Sequence, residues 1–305
     1  MTIHHKILCC VLLLCSGLVS ASQFAEPLRV VLVLSDNNAL TQSFARTYRQ
    51  NLPNEIALEV LTRAEDFVRE PQGADMIVTV GVKAANWVAD RSMLPLLAAM
   101  IPSNSYPQLR AQRQETRQTS AIYLDQPWAR QAGLLHAVMP ERHKIGVVYS
   151  AAARLDVAAL RVAISEQGGH LNAKQTDESL FAALESVMEG SEVLLAVPDS
   201  TIYNSNTIRN ILLSSYRRGI PLVGFSAAYV KAGALCAIYS TPEHLAEQAS
   251  AATLSFARTH KLSEAQFPAL YSIAVNQEVA RTLGISLSST ESLREQIEKS
   301  SRSLR

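Results

Sequence analysis

The chain has 305 residues, of which 48% are hydrophobic and 18% charged, and its formal net charge at pH 7 is +1. This composition argues against a disordered chain, and a net charge near zero provides no electrostatic footprint for nucleic acid. The length allows two lobes of ordinary size, each able to bury its own core. We therefore expect a globular protein that does not bind nucleic acid.

The amino terminus has the pattern of a secretory signal peptide. A basic segment, 1–6, precedes an apolar run, 7–14, and Val19-Ser20-Ala21 forms a small-x-small cleavage site. The apolar run is too short for a comfortable membrane span, although a retained anchor is one alternative. A lipoprotein acylated at Cys15 is another, which the preceding Leu14 disfavours because that processing usually requires a small residue there. We expect export to the periplasm or beyond.

After this leader, short apolar runs alternate with helix-length segments, a pattern that predicts parallel strands covered on both faces. In the first half the predicted strands are 28–34, 56–61, 75–80, 95–100 and 120–124, and the predicted helices are 37–51, 62–72 and 82–91. The segment 108–118, rich in arginine and glutamine, is predicted to be an exposed connection or edge. The strand 120–124 is predicted to make the first crossing between lobes.

The second half continues the same alternation. Its predicted helices are 127–138, 153–168, 177–189, 204–218, 227–231, 242–261, 277–283 and a charged tail helix, 290–304. Its predicted strands are 144–149, 171–176, 192–197, 221–225, 235–239 and 269–275.

Three apolar runs of the first half recur in the same order in the second half. The pairs are 29–35 with 144–150, 75–81 with 192–198, and 93–100 with 219–226. The first two pairs are 115 and 117 residues apart (144 − 29 and 192 − 75), so the repeated unit is the size of a domain. The repeat predicts an α/β protein of two similar doubly wound parallel-sheet lobes joined by a hinge, each with a crevice at the carboxyl ends of its strands.

These elements predict the organisation of the whole chain. Residues 1–21 form the signal peptide, 28–122 the first α/β lobe, to which part of 242–268 returns, and 123–241 the second α/β lobe. Residues 269–305 form a C-terminal segment that closes the lobes and ends in the tail helix. Hinges are expected near 122–126 and 239–242.

Polar or glycine-containing loops follow the predicted strands at the crevice end of both lobes. They begin at Ser35, Gly81 and Ile101 in the first lobe and at Tyr149, Pro198 and Phe225 in the second. Free backbone N–H groups at helix starts attract anionic groups, and Gly81 permits close approach of a ligand. Each loop alone is better explained as an ordinary cap or turn, but six of them at equivalent sheet ends favour a binding cleft.

No catalytic constellation is visible in the sequence. The segment 224–228 half-resembles the nucleophile elbow of a serine hydrolase, but its final glycine is missing. The histidines are scattered without metal-ligand spacing, and cleavage after Ala21 leaves one cysteine, Cys236, which cannot form an internal disulfide. We therefore predict a protein that is not an enzyme and that holds no cofactor and no metal.

Four segments, 74–85, 135–149, 220–235 and 275–285, are similar to one family of exported proteins. They include a strand-Gly-small-x-Ala-Ala turn at Gly81 and a closing Asn-x-x-x-Ala-x-x-Leu-Gly segment that begins at Asn276. In these segments the chain resembles the substrate-binding proteins of ABC transporters, of the tryptophan/tyrosine-binding-type family with a type I periplasmic-binding fold.

The resemblance implies a small molecule, with an amino acid as one candidate, held between the lobes and presented to an ABC permease and ATPase complex in the inner membrane. It implies ligand contacts in the first lobe at Ser35, Gly81, Val82, Lys83 and Ser103. It implies ligand contacts in the second lobe at Ser150, Asp199, Ser200, Ser226 and Tyr229. We expect the protein to be a monomer.

Two segments depart from the family's pattern. Ala227 and Ala228 stand where the family often has an acidic residue that can pair with an α-amino group, and 240–244 replaces an expected glycine-tyrosine pair. An alternative function is therefore a non-transport periplasmic binding or sensor-accessory protein on the same scaffold, which partners a receptor or a sensor kinase. Neighbouring genes for a permease and an ATPase, or for a receptor or kinase, would separate the two.

Overall fold

Two β-sheets form the centre of the structure. The computed structural model describes residues 27–113, 117–177 and 179–302, so the predicted signal peptide and Cys15 lie outside the described residues. The strands, in chain order, are β1 (Arg29–Leu34), β2 (Ala57–Leu61), β3 (Met76–Val80), β4 (Leu96–Ile101), β5 (Thr119–Tyr123), β6 (Lys144–Tyr149), β7 (His170–Gln175), β8 (Val193–Leu195), β9 (Leu222–Gly224), β10 (Cys236–Tyr239) and β11 (Ser272–Val275).

Helices pack against these sheets and connect the parallel strands. In chain order they are α1 (Ala39–Gln50), α2 (Val82–Ala89), α3 (Tyr106–Arg113), α4 (Trp128–Val138), α5 (Val157–Glu166), α6 (Leu180–Glu189), α7 (Ile208–Arg217), α8 (Ala227–Ala232), α9 (Pro242–Thr259), α10 (Gln277–Thr282) and α11 (Thr290–Arg302). Within the described ranges, no helix has the length and apolar character needed to cross a membrane.

The first sheet has the order β2-β1-β3-β4-β5, and every neighbouring pair in it is parallel. Its central strands are apolar at successive positions because both of their faces are covered. Along β1, Val30, Leu32 and Leu34 enter the core shared with α1 and α9. Val31 and Val33 enter the core shared with α2 and α3. Alternate side chains of one strand are therefore buried in two separate cores.

The second sheet repeats this order and adds one strand. Its order is β11-β10-β9-β8-β6-β7, in which β7-β6-β8-β9-β10 corresponds to β2-β1-β3-β4-β5. The repeat predicted from the sequence is therefore present in the strand order, and the predicted doubly wound α/β class is confirmed. The additional strand, β11, pairs antiparallel with β10 and departs from the parallel scheme.

The chain passes between the two lobes defined by these sheets after β5, after β10 and before β11. The predicted crossing strand, β5, itself pairs with β4 in the first sheet, and the first crossing follows it. The second crossing leads to α9, whose Leu245 and Ala249 lie in the core beside β1. Near the third crossing Gln266 forms a bridge with Ile122 of β5, and α11 then packs against α4 in the second lobe.

A hydrogen-bond network joins the three crossing segments. Arg130 Nη1 in α4 donates to Gln126 Oε1 and, at 2.9 Å, to the carbonyl of Pro268. Gln126 Nε2 donates to Ser240 Oγ at 2.9 Å, and Ser240 Oγ donates to the carbonyl of Leu270 at 2.5 Å. We call Gln126, Arg130 and Ser240 the hinge cluster, because these side chains connect every crossing to the other two.

Most described residues of the segment 108–118 are exposed, as its composition predicts, but the segment is not a simple connection. Its first part belongs to α3, and Arg113 at the end of this helix is 0% exposed. Arg113 Nε donates to Thr119 Oγ1 at 3.0 Å, and the two Nη atoms donate to the carbonyls of Ser92 and Leu94. Burial lowers the pKa of Arg113 to about 10, so it stays charged at neutral pH. The composition does not predict the burial of Arg113, because the carbonyls of Ser92 and Leu94 belong to an earlier segment of the chain.

We expect Arg113→Ala to lower the free energy of unfolding by about 3 kcal/mol, because buried acceptors lose their donor. Arg110→Ala, at an exposed position of the same helix, is the matched control and should change it by less than about 0.5 kcal/mol. Chemical denaturation measures both values. Small and equal losses of unfolding free energy in the two variants would show that the hydrogen bonds of Arg113 to Ser92, Leu94 and Thr119 do not stabilise the fold.

Candidate functional site

A cavity of about 370 Å³ lies between the two lobes, at the carboxyl ends of their strands. Ligands of open α/β sheets bind at this end of the strands. Both lobes and the crossing segments contribute residues to its lining. They include Leu40, Met100 and Pro102 of the first lobe, Trp128, Gln131, Phe225, Ser226 and Ile238 of the second lobe, and Leu124, Asp125, Gln126 and Ser240 of the crossing segments. Most of these side chains are apolar, which favours a ligand with a largely apolar body. We call this the main cavity.

The strand β4 is distorted where it meets the main cavity. Met100 has φ +57°, a left-handed conformation that is uncommon for a residue with a side chain. The register between β4 and β5 shifts between Ala99 and Ile101. A bulge interrupts the alternation of side chains, and Met100 lines the cavity. Strained backbone of this kind clusters at binding sites, so the distortion is a second mark of the site.

Asp125 carries the charge of the main cavity. Among the described residues that line this cavity, no other is charged. Asp125 Oδ1 accepts the backbone N–H of Ser103 at 2.7 Å, and Oδ2 accepts the Ser103 hydroxyl at 2.5 Å. Burial raises the pKa of Asp125, and the hydrogen bonds from Ser103 partly offset that rise. The carboxyl group thus has two neutral donors, and no lysine or arginine of the described ranges forms an ion pair with it.

Two glutamines line the main cavity together with Asp125. Gln131 is 4% exposed, and its Oε1 has no hydrogen-bond partner within the described part of the chain. A buried acceptor without a donor costs about 1–3 kcal/mol, which a ligand that donates a hydrogen bond there would recover. Gln126 belongs to the hinge cluster and lines the cavity as well. The binding wall and the hinge therefore share a side chain.

A second cavity, of about 240 Å³, adjoins the main one. Pro102, Asp125, Trp128 and Pro198 line both. The second cavity adds Ser103 and polar residues from the start of the second lobe, among them Arg154 and Asp156. The two cavities therefore form one cleft with an apolar part and a more polar part, which meet at Asp125. We call the smaller one the side cavity.

Two hydrogen bonds cross the cleft beside the side cavity. Asn104 Nδ2 donates to the carbonyl of Ala153, and Arg154 Nη1 donates to Gln108 Oε1 at 2.9 Å. Arg154 has φ +45° and ends a short 3-10 turn, so the predicted helix 153–168 begins only at 157. These contacts join the lobes directly, in addition to the crossing segments.

Three aromatic rings support the second-lobe wall of the main cavity. The ring of Phe225, which lines the cavity, lies 4.4 Å from that of Tyr229 and 6.4 Å from that of Tyr203. The Tyr229 hydroxyl donates to the carbonyl of Tyr203 at 2.9 Å. Burial raises the pKa of Tyr229 to about 12, so the phenol is neutral at physiological pH. The predicted contact residue Tyr229 therefore holds Phe225 in place and does not itself line either cavity.

The predicted first-lobe residues divide into two groups. Ser103 lines the side cavity, whereas Ser35, Gly81, Val82 and Lys83 line neither cavity. The Ser35 hydroxyl accepts the N–H of Ala84 at 3.0 Å, and a Cβ on Gly81, whose φ is +89°, would lie 2.6 Å from that hydroxyl. Lys83 Nζ forms an ion pair with Glu65 at 2.6 Å. This turn is held by its own contacts, and a ligand contact there stays a prediction.

In the second lobe, Ser226 lines the main cavity, and Ser150, Asp199 and Ser200 line neither. Asp199 is 4% exposed. Its Oδ2 accepts the N–H of Ser150 at 2.7 Å, and its Oδ1 accepts the N–H of Thr201 at 3.0 Å. Asp199 therefore ties the loop after β6 to the loop after β8, and this role competes with direct contact to a ligand.

Four lining residues that sequence reasoning did not single out lie in the first crossing segment or in α4. They are Asp125, Gln126, Trp128 and Gln131. An available signal is the group Asp-Gln-Pro-Trp at 125–128, whose first two residues belong to the predicted hinge and whose last two begin the predicted helix. The described residues contain no group of three or more His, Cys, Asp or Glu placed to hold a metal ion.

We expect Asp199→Ala to lower the free energy of unfolding by about 2–4 kcal/mol, because two backbone N–H groups lose a charged acceptor. Ser200→Ala, at the exposed neighbouring position, is the control and should have little effect. Denaturant titration measures both. A stable Asp199→Ala variant with impaired ligand binding would instead favour the predicted contact role.

We expect Asp125→Asn to unfold at the same temperature as the native chain or a higher one at pH 7 without ligand. Burial raises the folded-state pKa of Asp125, so its ionised form weakens the fold above that pKa. An amide can instead accept the Ser103 N–H at its oxygen and donate its own N–H to the Ser103 hydroxyl. The difference should shrink as the pH falls toward the ordinary carboxyl value of 3.8. Thermal melts over this range measure it, and a large loss of stability at pH 7 would contradict the prediction.

No protein-family model matches the sequence, and no curated protein matches it significantly. Solved structures do match. An ABC domain in complex with L-Trp from Streptococcus pneumonia is 14% identical, with 88% of this chain and 98% of that chain covered and a TM-score of 0.63. The ligand-free, open structure of a substrate-binding protein with adhesive properties from Clostridium difficile is 15% identical, with 87% and 97% covered and a TM-score of 0.71.

A periplasmic ribose ABC transporter protein from Conexibacter woesei is 11% identical, with 85% of this chain and 95% of that chain covered and a TM-score of 0.57. At identities this low, a structural match establishes the fold and not the ligand. Each match covers most of this chain and nearly all of the other chain, with a TM-score above 0.5. The chain therefore has the type I periplasmic-binding fold that the sequence resemblance predicted.

Proposed function

We propose that this protein is an exported solute-binding protein, which closes its two lobes on a small molecule in the main cavity and presents it to an ABC transporter. The observation that supports the proposal most directly is which parts of the chain form the cavity wall. One cavity is lined by both lobes and by the crossing segments between them. A ligand there contacts groups whose separation changes when the lobes move, which is the requirement for ligand-driven closure.

The hinge cluster makes closure a motion with few degrees of freedom. Because Gln126, Arg130 and Ser240 connect all three crossings, the crossings move together. The direct bonds from Asn104 and Arg154 across the cleft are the contacts that a more closed state would keep and a more open state would lose. A bound ligand shifts this balance only through contacts that are better in the closed state.

The size and lining of the main cavity support a compact, largely apolar ligand. A volume of about 370 Å³ lies in the range of small-molecule sites. Apolar walls such as Leu40, Met100 and Phe225 favour a hydrocarbon or aromatic body over a sugar, whose hydroxyl groups would lack partners there. Among the structural neighbours, the Streptococcus protein with L-Trp bound fits this character better than the ribose protein.

Location and partners complete the proposal. The signal-peptide pattern of residues 1–21 supports export to the periplasm, and the solute-binding neighbours support delivery to a permease and ATPase complex. The protein acts as a monomeric receptor without catalysis. Its two lobes provide the surface that a transporter distinguishes between the open and closed states.

Ligand-induced stabilisation tests binding in the main cavity. The mature chain is unfolded thermally in the presence of amino acids, aromatic and aliphatic amines, alcohols, carboxylates, nucleosides and sugars. A ligand at about 100 times its dissociation constant adds about 2.7 kcal/mol, which raises the melting temperature by several degrees. Ser226→Trp should abolish the shift by filling the cavity, and Ser165→Trp, at an exposed position of α5 outside both cavities, should keep it.

Small-angle scattering of the same samples tests closure. The radius of gyration should fall when the stabilising compound is added to the native chain and stay constant for Ser226→Trp. Equal thermal shifts for the native chain and Ser226→Trp would contradict binding in the main cavity. A stabilising compound that leaves the radius unchanged at saturation would contradict the closure mechanism.

A further inference from the structure

The charges around the cleft are unevenly distributed. The main cavity holds one charged residue of the described chain, Asp125, and the side cavity adds Arg154 and Asp156. The guanidinium of Arg154 donates across the cleft to Gln108, and Asp156 accepts the N–H of Ala159 as the cap of α5. The apolar part of the cleft therefore contains a carboxyl group and no basic side chain among its described residues.

Asp125 retains capacity for a further partner. A carboxylate has about four acceptor positions, and Ser103 occupies two of them with neutral donors. Neutral donors orient a carboxylate but do not cancel its charge, and Asp125 is partly buried without a counter-ion among the described residues. A cationic group bound in the cavity would supply the missing charge. A ligand carboxylate beside Asp125 would instead add like-charge repulsion.

The side chain of Gln131 also favours a ligand that donates a hydrogen bond. Its Oε1 is buried without a hydrogen-bond donor, and the residue lines the cavity that Asp125 lines. An ammonium group has three donors and no acceptor, so it can serve a carboxylate and an amide oxygen together. Trp128 and Phe225 line this cavity too and offer aromatic surface to the remainder of such a molecule.

We propose that the main cavity binds an organic ammonium compound with an apolar, carboxylate-free body, whose ammonium group pairs with Asp125 and donates to Gln131. This inference rests on the proposed function and names the ligand class of that site. It makes an amino acid the weaker ligand, because the described lining of the main cavity has no basic side chain for the α-carboxylate. Asp125 of the crossing segment thus takes the role of the acidic residue that is absent at positions 227 and 228.

A series of ligands with one body and different head groups tests the inference. Isothermal titration at pH 7 compares 2-phenylethylamine, 2-phenylethanol, 3-phenylpropionate and L-phenylalanine, and a parallel series compares tryptamine, tryptophol, indole-3-propionate and L-tryptophan. In at least one series the amine should bind at least tenfold more tightly than the other three compounds. The matched alcohol controls for the apolar body, and the amino acid controls for the added carboxylate.

Two variants test whether amine affinity depends on the charge of Asp125 itself. Asp125→Asn should weaken binding of the amine at least tenfold and change binding of the matched alcohol less than twofold. Asp90→Asn removes the same charge from an exposed position at the end of α2 and should leave the amine affinity unchanged. A melting curve of Asp125→Asn shows that it is folded before its affinities are compared.

The outcomes distinguish this inference from the proposed function. An amine that binds no better than its alcohol or amino acid, or an amine affinity that Asp125→Asn leaves unchanged, would overturn the ammonium site while cavity binding stands. The same holds if neither amine binds but another compound of the broad panel is blocked by Ser226→Trp. No stabilisation by any compound would overturn both.

Discussion

The structure depends on the hydrogen-bond network that ties the three crossing segments together. Without it, each lobe would keep its own core, but their relative orientation would be set by three independent linkers and by the two direct bonds of Asn104 and Arg154 across the cleft. Gln126 lies at the centre, because it accepts from Arg130 and donates to Ser240, which in turn donates to Leu270. Since Gln126 and Ser240 also line the main cavity, the groups that define the hinge are within reach of a bound molecule.

The chemistry of the cleft follows from this arrangement. Much of the apolar wall comes from the two lobes, whereas the acceptors of Asp125, Gln126 and Gln131 come from the first crossing and the helix after it. Asp125 and Gln131 both offer acceptors, and the charge of Asp125 has no counter-ion among the described residues. Apolar surface supplies affinity without much selectivity, so a few buried acceptors decide which head group is accepted.

The two lobes share a strand order but differ in the additional strands and helices that pack on each sheet. The second sheet carries the antiparallel strand β11, and α11 packs on α4 beside it. The first lobe instead receives α9, whose packing against α1 includes a bond between the hydroxyls of Tyr48 and Thr253 at 2.6 Å. Each lobe is thus completed by chain that follows the repeat, and this exchange is what creates the second and third crossings.

The sequence by itself determined the repeated α/β scheme, the type of nearly every element and the resemblance to a binding-protein fold, because burial of both sheet faces and helix periodicity leave local traces. Only the tertiary structure decided which residues form the site. Ser103 and Ser226 were predicted contacts that line the cleft, whereas Asp199 is engaged in joining two loops. The burial of Arg113 and the exposure of Asp125 to the cavity depend on partners far away in the chain, and no local pattern records such pairings.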